Sequence, residues 1–305
     1  MSINHTPIMR DEVINMLIKD INGIYIDCTI GFAGHSYEIL KKLTNKGILI
    51  GMDLDPYALN EAEKKLSTLE KKFLLFNMNY KNFPNILSKL KIEKVDGFLF
   101  DLGISSYQVD SLHRGFSFRK NGPLDMRFNN ETGGTAKQLL ENISEKNLGE
   151  IIRIYGEEKR SKSIAKSIVN YRKKNKLETT FDLKEAILEA IKKPDNKTYS
   201  KVFQSIRISL NDELENLKEA LKKSAKYLKS NGRIAVLSFH SLEDRIVKHF
   251  LKNSISIDES NYYLRNKATN EKFNLINKKP ITASKIEMKK NRRSNSAKLR
   301  VAEKI

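Results

Sequence analysis

Short apolar runs alternate with amphipathic segments along the first hundred residues of the chain. Four runs are rich in Ile, Leu, Phe and Val and fit buried strands: 24–30, 47–53, 72–78 and 95–101. Apolar residues recur at helical spacing between them, as at 56–69, where Ala58, Leu59, Ala62 and Leu66 share one face. This alternation predicts a parallel α/β sheet with right-handed crossovers.

The strand pattern stops between about 109 and 205. Three amphipathic helices are expected there, from three sets of apolar residues: Leu148, Ile151, Ile152 and Tyr155; Ile164, Ile168 and Tyr171; Leu183, Ala186, Ile187, Ala190 and Ile191. Asp182 and Glu185 are expected to cap the third helix. The stretch 109–205 is therefore predicted to be an all-helical insertion.

Strand-forming patterns return in the last hundred residues. A helix is predicted over 212–229, with a C-cap formed by Asn231 and Gly232, and strands are predicted at 233–239 and 297–302. The predicted domains are a sheet domain in two parts, 1–108 and 206–305, interrupted by the insertion, 109–205.

Charge is the compositional feature that bears most on function. The 305 residues include 56 Lys and Arg against 37 Asp and Glu, a net charge of +19. This excess favours a polyanionic partner, most often nucleic acid, although a base-composition bias gives the same excess. The basic residues concentrate at 146–176 and in a C-terminal tail, 278–304, which suits phosphate contacts. A solvated helix face is the alternative for the first block.

Cysteine count and hydropathy exclude other classes. A single cysteine, Cys28, allows no internal disulfide and no multi-thiolate zinc site, and it fits a reducing cytoplasm. No metal site is predicted. The first residues carry acids and lack a long apolar core, so no signal peptide is expected. No apolar run approaches the ~20 residues that cross a bilayer, so no membrane partner is expected.

A glycine-bearing loop follows the first predicted strand. Gly31 and Gly34 allow close backbone approach, and Asp53 at the end of the second strand suits the two hydroxyls of a ribose. A dinucleotide loop normally has three glycines, and Asp27 would repel a pyrophosphate. Asp27 suits the cationic amino-acid end of S-adenosylmethionine, unless it is an ordinary strand-end turn acid. A methyl donor is therefore favoured over a nicotinamide cofactor.

Acidic and hydroxyl groups follow the fourth predicted strand, at the edge where ligands bind in open α/β sheets. Asp101, Ser105, Ser106 and Tyr107 suit methylation of an exocyclic amine, whose delocalised lone pair needs acceptors on its protons. The alternative is that the two serines cap the next turn. His240 follows the fifth strand at the same edge, where a structural histidine is the alternative.

The segment 113–128 interleaves three Phe with four Arg or Lys, a pattern that suits an unstacked base and its phosphates. Phe116 or Phe118 is expected to stack on a flipped base, while Arg114 and Arg127 hold adjacent phosphates. The alternative is a packed surface loop with these Phe residues as its own small core.

These segments together resemble the bacterial 16S ribosomal RNA cytosine-N4 methyltransferase family, the H-type small-subunit enzymes. The resemblance runs nearly end to end, through these stretches: HTPIMRDEV at 5–13, YIDCTIGFAGHS at 25–36, DGFLFDLGISSYQVD at 96–110, RGFSFRKNGPLDMR at 114–127, YGEEKRSKSIAKSIV at 155–169, FQSIRISLNDEL at 203–214 and SFHSLEDRIVKHF at 238–250. It implies a Rossmann-like S-adenosylmethionine-dependent methyltransferase sheet with an inserted helical domain. It also implies methylation of a cytidine in the decoding region of 16S rRNA.

Site residues follow from the resemblance by position. The implied methyl-donor contacts are Ala33, Gly34, His35, Asp53, Tyr80, Asp101 and Gln108. Asp101, Ser105 and Ser106 remain the catalytic candidates, and the substrate candidates are Arg114, Phe116, Phe118, Arg127, His240, Arg292 and Arg293. The family usually has Gly at positions 28 and 33 and Pro at 107, so Ala33 is expected to keep its backbone contact only at negative φ.

The implied partner is 16S rRNA in the small ribosomal subunit, with neither DNA nor a membrane expected. Alternatives are a non-catalytic ribosome-assembly factor on the same fold, or a methyltransferase acting on another RNA or a small molecule. The sequence leaves open the oligomeric state, any general base, and whether free rRNA or the assembled subunit is the substrate.

Overall fold

The computed structural model of the chain describes residues 7–252 and 272–305. Eight strands of one sheet lie within them: β1 (Ile24–Asp27), β2 (Ile48–Asp53), β3 (Phe73–Asn77), β4 (Val95–Asp101), β5 (Leu228–Ser238), β6 (Phe273–Leu275), β7 (Ile281–Thr282) and β8 (Lys298–Lys304). The helices are α1 (Arg10–Leu17), α2 (Gly34–Lys42), α3 (Pro56–Ser67), α4 (Phe83–Lys89), α5 (Ser106–Asp110), α6 (Ala136–Asn142), α7 (Glu145–Gly156), α8 (Ser161–Lys174), α9 (Thr180–Ala190), α10 (Asn196–Asn211), α11 (Glu213–Tyr227), α12 (Ser241–Lys252) and α13 (Lys285–Lys290). His5 and Thr6 of the first matched stretch lie outside the described residues.

The sheet has the strand order β3-β2-β1-β4-β5-β8-β6, with β7 paired to β8. Strands β1 to β5 pair with one another in parallel, and β8 is antiparallel to β5, β6 and β7. The predicted α/β class is therefore confirmed. The chain order reverses direction between β1 and β4, and the carboxyl ends of strands at such a point are where open α/β sheets bind ligands.

The chain divides into two compact units. The first comprises residues 1–103 and 214–305 and contains the sheet. Its core includes Leu49, Leu99, Leu237 and Leu299 from β2, β4, β5 and β8, all fully buried. Burying one such side chain contributes about 1.5–3 kcal/mol.

The second unit comprises residues 104–213, all of which the structure describes. It consists of α5 to α10 and contains no strand beyond an isolated bridge between Pro123 and Thr179. Leu148, Ile164 and Leu183 from α7, α8 and α9 meet in its core. The predicted helical insertion, 109–205, lies inside this unit.

Two local predictions were wrong. Asn231 and Gly232 do not cap a helix: α11 ends at Tyr227, and Asn231, with φ 64°, lies inside β5 at a register irregularity opposite β4. Glu185 does not cap α9, because its carboxylate accepts the Tyr171 hydroxyl at 2.9 Å. The cap is Thr179, whose side chain accepts the backbone N–H of Asp182 while Asp182 accepts that of Thr179.

Candidate functional site

The glycine-bearing loop after β1 is fastened to the end of β2. One carboxylate oxygen of Asp53 accepts the backbone N–H of Gly31 at 2.9 Å, and the other accepts that of Asp55 at 2.9 Å. Burial raises the pKa of Asp53 to about 6, against the opposing effect of these N–H groups. The predicted pairing of loop and strand-two acid is thus present in the fold, with lone pairs of Asp53 still available to a ligand hydroxyl.

The loop turns twice through left-handed backbone. Gly31 has φ 50° and Ala33 has φ 53°. Ala33 does not meet the condition of negative φ that its backbone contact with the donor was expected to require: it keeps the conformation that suits glycine, at a cost of about 1–2 kcal/mol. A side chain on Gly34 would meet Pro7 at 3.1 Å, whereas one on Gly31 would meet nothing within 4 Å. Gly34 therefore serves internal packing, and Gly31 is the glycine whose missing side chain leaves room for a ligand.

Asp27 is an internal brace. It is 2% exposed, and its two oxygens accept the Ser36 hydroxyl at 2.7 Å and the Thr29 N–H at 3.1 Å. Burial raises the pKa of Asp27 to about 6. Because this value still lies below 7, the carboxylate is mostly charged at neutral pH. Because the side chain is buried and ties the end of β1 to α2, the alternative of a strand-end turn acid describes Asp27 better than contact with the donor's cationic end.

His35 connects the N-terminal segment to the end of β4. The ring is buried, its Nε2 donates to the Ile8 carbonyl at 2.9 Å, and its Nδ1 lies 3.3 Å from an oxygen of Asp101. Burial by itself lowers the pKa of His35, but the hydrogen bond and charge of Asp101, the charge of Asp27 and the Ile8 carbonyl outweigh burial and raise it. Because both ring nitrogens face acceptors, the structure favours the imidazolium form. His35 thus positions Asp101.

The second oxygen of Asp101, Oδ1, is buried and has no hydrogen-bonding partner among the described residues. The Asp101 backbone N–H donates to the Thr29 hydroxyl at 2.7 Å, so main chain and side chain are both fixed. A buried carboxylate oxygen without a partner is costly unless a ligand donor completes it. Asp101 therefore presents a fixed acceptor at the carboxyl end of β4.

Tyr80 lies in a short 3-10 turn after β3, and its ring packs edge-to-face on Phe100 of β4 with centroids 5.8 Å apart. This contact places an aromatic wall beside the carboxyl ends of the strands. The donor contact of Tyr80 stays a prediction.

Replacing His35 by glutamine is expected to lower the free energy of unfolding by ~1.5–3 kcal/mol near pH 6, the usual worth of hydrogen bonds to charged groups. A raised histidine pKa contributes stability that is complete below the unfolded value near 6.5 and is lost as pH rises through the folded value. Urea unfolding at about pH 6 and about pH 8.5 measures this. Wild type should lose more stability than His35→Gln across that interval, and equal losses would exclude the charged imidazole.

Comparison with known proteins identifies the family. The MraW methylase family matches residues 2–305. The chain belongs to this family. Ribosomal RNA small subunit methyltransferase H of Caldicellulosiruptor bescii is 43% identical over 99% of both chains, and that of Clostridium botulinum is 42% identical over 100% of both. A solved rRNA methylase from Streptococcus thermophilus is 12% identical and covers 97% of this chain and 93% of its own, with a TM-score of 0.43.

Because it belongs to this family, the protein is a methyltransferase, and the predicted methyl donor, S-adenosylmethionine, is confirmed. It also confirms the resemblance read from the sequence motifs. Within the described residues, no helix is long and apolar enough to cross a membrane.

For several of the remaining predicted residues, the structure favours the structural alternatives that the sequence analysis named. Ser105 is the N-cap of α5, since its hydroxyl accepts the Gln108 N–H at 3.1 Å while the Gln108 side-chain oxygen accepts the Ser105 N–H at 3.1 Å. The capping alternative therefore describes Ser105 better than a catalytic role. Ser106 and Tyr107, both half-buried, are the first two residues of the same short helix.

The loop 113–128 is packed, which corrects three predicted RNA contacts. Arg114 is buried and donates to the carbonyls of Arg127 and Phe128 at 2.9 and 2.8 Å. Phe116 is 7% exposed and stacks on Phe128 with centroids 5.9 Å apart. Arg127 forms a bidentate pair with Asp125 at 2.7 and 3.0 Å. These contacts hold the loop together: Arg114 and Phe116 are buried, and the half-buried Arg127 has its guanidinium engaged by Asp125.

Gly115 shows why the loop folds on itself. It has φ 68°, and a side chain there would lie 2.2 Å from the Pro123 carbonyl oxygen. Only glycine allows this approach. Phe118 differs from Phe116, because it is half-buried and lies on Tyr199 of α10 with centroids 5.6 Å apart.

His240 lies at the same sheet edge as Asp101, as predicted, but it forms part of the α12 cap. Its backbone N–H and that of Phe239 donate to Glu243 at 3.3 and 2.8 Å, and its Nδ1 accepts the Glu243 N–H at 3.4 Å. The structural alternative therefore describes His240 better than substrate binding.

The basic C-terminal tail is partly built into the sheet. Lys298 and Arg300 pair with Asp244 at 3.1 and 2.7 Å, and the Lys304 ammonium donates to the Ala225 carbonyl at 2.8 Å. Arg292 and Arg293 lie before β8, exposed and half-buried respectively. Within the tail, RNA contacts therefore stay a prediction only for the basic residues that precede β8, among them Arg292 and Arg293.

Sequence reasoning missed the Ile8 carbonyl and the Thr29 and Ser36 hydroxyls as parts of the site. Thr29 and Ser36 stand inside the quoted motif 25–36, so the motif itself was the available signal. No local sequence pattern predicts the role of the Ile8 carbonyl, because its contact with His35 depends on where the N-terminal segment packs.

Proposed function

We propose that this protein transfers a methyl group from S-adenosylmethionine to the exocyclic N4 of a cytidine in the decoding region of 16S rRNA. The observation that carries the proposal is the end-to-end identity of 42–43% with relatives named ribosomal RNA small subunit methyltransferase H. The net charge of +19 agrees with an RNA substrate, whereas an enzyme that acts on small molecules would not need it.

The donor is proposed to lie along the carboxyl ends of β1, β2 and β4. Two observations fit a ligand there: the open space beside Gly31 and the unpartnered Oδ1 of Asp101. Asp53 is proposed to accept the ribose hydroxyls, with Tyr80 as a wall of the site. Bound there, S-adenosylmethionine supplies an electrophilic methyl group on its sulfonium.

Asp101 is proposed to assist the transfer step by accepting a proton of the target amine in a hydrogen bond. The lone pair of a cytosine amine is delocalised into the ring, so an acceptor for an amine proton favours the pyramidal geometry that attack on the methyl carbon requires. Oδ1 of Asp101 is such an acceptor, and the contact of the other carboxylate oxygen with His35 at 3.3 Å holds the side chain in place. The methylated amine then loses its proton to water, and no further base is needed.

A non-catalytic assembly factor is the second candidate, and the intact donor-site acids Asp53 and Asp101 disfavour it. The test is methyl transfer from labelled S-adenosylmethionine to purified small subunits that lack the modification. Wild type should label 16S rRNA, while Asp101→Asn, which removes the charge but keeps the shape, should transfer about a hundredfold slower. RNA binding by wild type without any transfer would favour the assembly factor.

A further inference from the structure

Three separate segments of the second unit bring aromatic rings and cations into one row. Arg119 and Phe118 belong to the loop after α5, Tyr199 to the N-terminal part of α10, and Lys184 and Phe181 to α9. We refer to these five residues as the aromatic–cation row. No stretch of the sequence contains it, because its members are up to 81 positions apart.

Each neighbour in the row contacts the next. The Arg119 guanidinium lies 5.7 Å from the centre of the Phe118 ring, which stacks on Tyr199 at 5.6 Å with an angle of 22° between the planes. The Lys184 ammonium lies 5.7 Å from the Tyr199 ring and 4.6 Å from the Phe181 ring. Rings and cations are therefore continuous along the row.

The row is anchored on one side and exposed on the other. Phe118 packs edge-to-face on the buried Phe203 at 5.9 Å, which fixes its plane. Phe181 is 38% exposed, Arg119 is exposed, and Tyr199 and Lys184 are half-buried. Phe181 is the ring of the row with the most exposed surface, and it provides stacking area for a base.

The cations of the row are available to an external anion. No carboxylate among residues 7–252 and 272–305 forms an ion pair with Arg119 or Lys184. The acids of α9 that are nearest in sequence are engaged elsewhere: Asp182 accepts backbone N–H groups of the α9 cap, and Glu185 accepts the Tyr171 hydroxyl. The row is thus positively charged as well as aromatic.

We infer that the aromatic–cation row is a binding platform for single-stranded RNA, with bases stacking on its rings and phosphates contacting Arg119 and Lys184. Aromatic surfaces interleaved with unpaired cations are the combination by which proteins hold unstacked nucleotides. A duplex hides its base faces, so this platform distinguishes single strands from duplexes. The inference rests on the proposed function, since it names the part of the second unit that holds substrate RNA.

Fluorescence anisotropy with a labelled single-stranded RNA oligonucleotide, and with the same sequence as a duplex, tests the platform. Phe181→Ala should weaken single-strand binding at least about fivefold and leave duplex binding unchanged. Lys184→Gln should weaken single-strand binding and lower its salt slope by about 0.7. Phe181 is partly exposed, so Phe181→Ala is expected to fold, and thermal unfolding of each variant checks this.

Two control variants match the test. Leu188→Ala removes another exposed apolar side chain from α9, and Lys166→Gln removes an exposed cation from α8. Equal single-strand affinity for Phe181→Ala and Leu188→Ala would overturn the platform. The platform would also be overturned if Phe181→Ala weakened the binding of polyglutamate as much as it weakened the binding of single-stranded RNA. That result would show a general site for acidic chains. Methyl transfer by wild type with unchanged binding by the row variants would leave the proposed function intact and remove only the platform.

Discussion

Replacing Asp53 by alanine is expected to weaken the binding of S-adenosylhomocysteine by roughly a hundredfold. The physical reason is the loss of an ionised acceptor for ribose hydroxyls, since each hydrogen bond to a charged group contributes ~1.5–3 kcal/mol. The same carboxylate holds the Gly31 and Asp55 N–H groups at 2.9 Å, so the loop loses its fastening to β2 as well. Calorimetric titration of the purified variant measures the effect.

Asp53→Asn is the matched control for this experiment. It keeps one acceptor oxygen and nearly the same volume, so its affinity should lie between those of wild type and Asp53→Ala. A folded Asp53→Ala variant with the wild-type dissociation constant would remove Asp53 from the donor site.

Replacing Phe116 by alanine is expected to lower the free energy of unfolding by ~3–5 kcal/mol, the usual cost of deleting a buried aromatic ring. Phe116 is 7% exposed, stacks on Phe128, and lies 5.8 Å from the Arg114 guanidinium. Its loss leaves a cavity beneath the loop 113–128. Denaturant unfolding followed by circular dichroism measures the change.

Phe181→Ala serves as the comparison, because Phe181 is 38% exposed and its removal should cost under ~1 kcal/mol. The account of the loop fails if Phe116→Ala keeps wild-type stability and loses RNA binding. That outcome would restore the interpretation of Phe116 as a ring that stacks on the target base.

The fold was predictable where the hydrophobic pattern repeats over whole elements. Strand β4 has the predicted bounds, and α3 ends two residues before the predicted end. Local signals misled where tertiary pairing decided the outcome. Asn231-Gly232 is a strong helix-stop signal in isolation, but pairing of β5 with β4 begins at Leu228, before that dipeptide.

The positions of the candidate donor-site residues were predictable, because these residues follow strand ends at fixed sequence spacing. Gly31 and Asp53 are joined by a hydrogen bond, and Asp101 stands at the end of β4. Which side chains of a basic, aromatic segment are exposed was not predictable, because composition does not determine which way a side chain faces. Arg114 and Arg119 belong to the same basic, aromatic segment, yet Arg114 is buried against backbone carbonyls and Arg119 is exposed beside Phe118.

Identification of the modified nucleoside tests the central claim most directly. Small subunits lacking the modification are incubated with the protein and isotopically labelled S-adenosylmethionine, and the 16S rRNA is then digested and analysed by mass spectrometry. The account predicts label in N4-methylcytidine from a single site in the decoding region. Label in 5-methylcytidine, in a ribose or in another base, or no label in 16S rRNA at all, would contradict it.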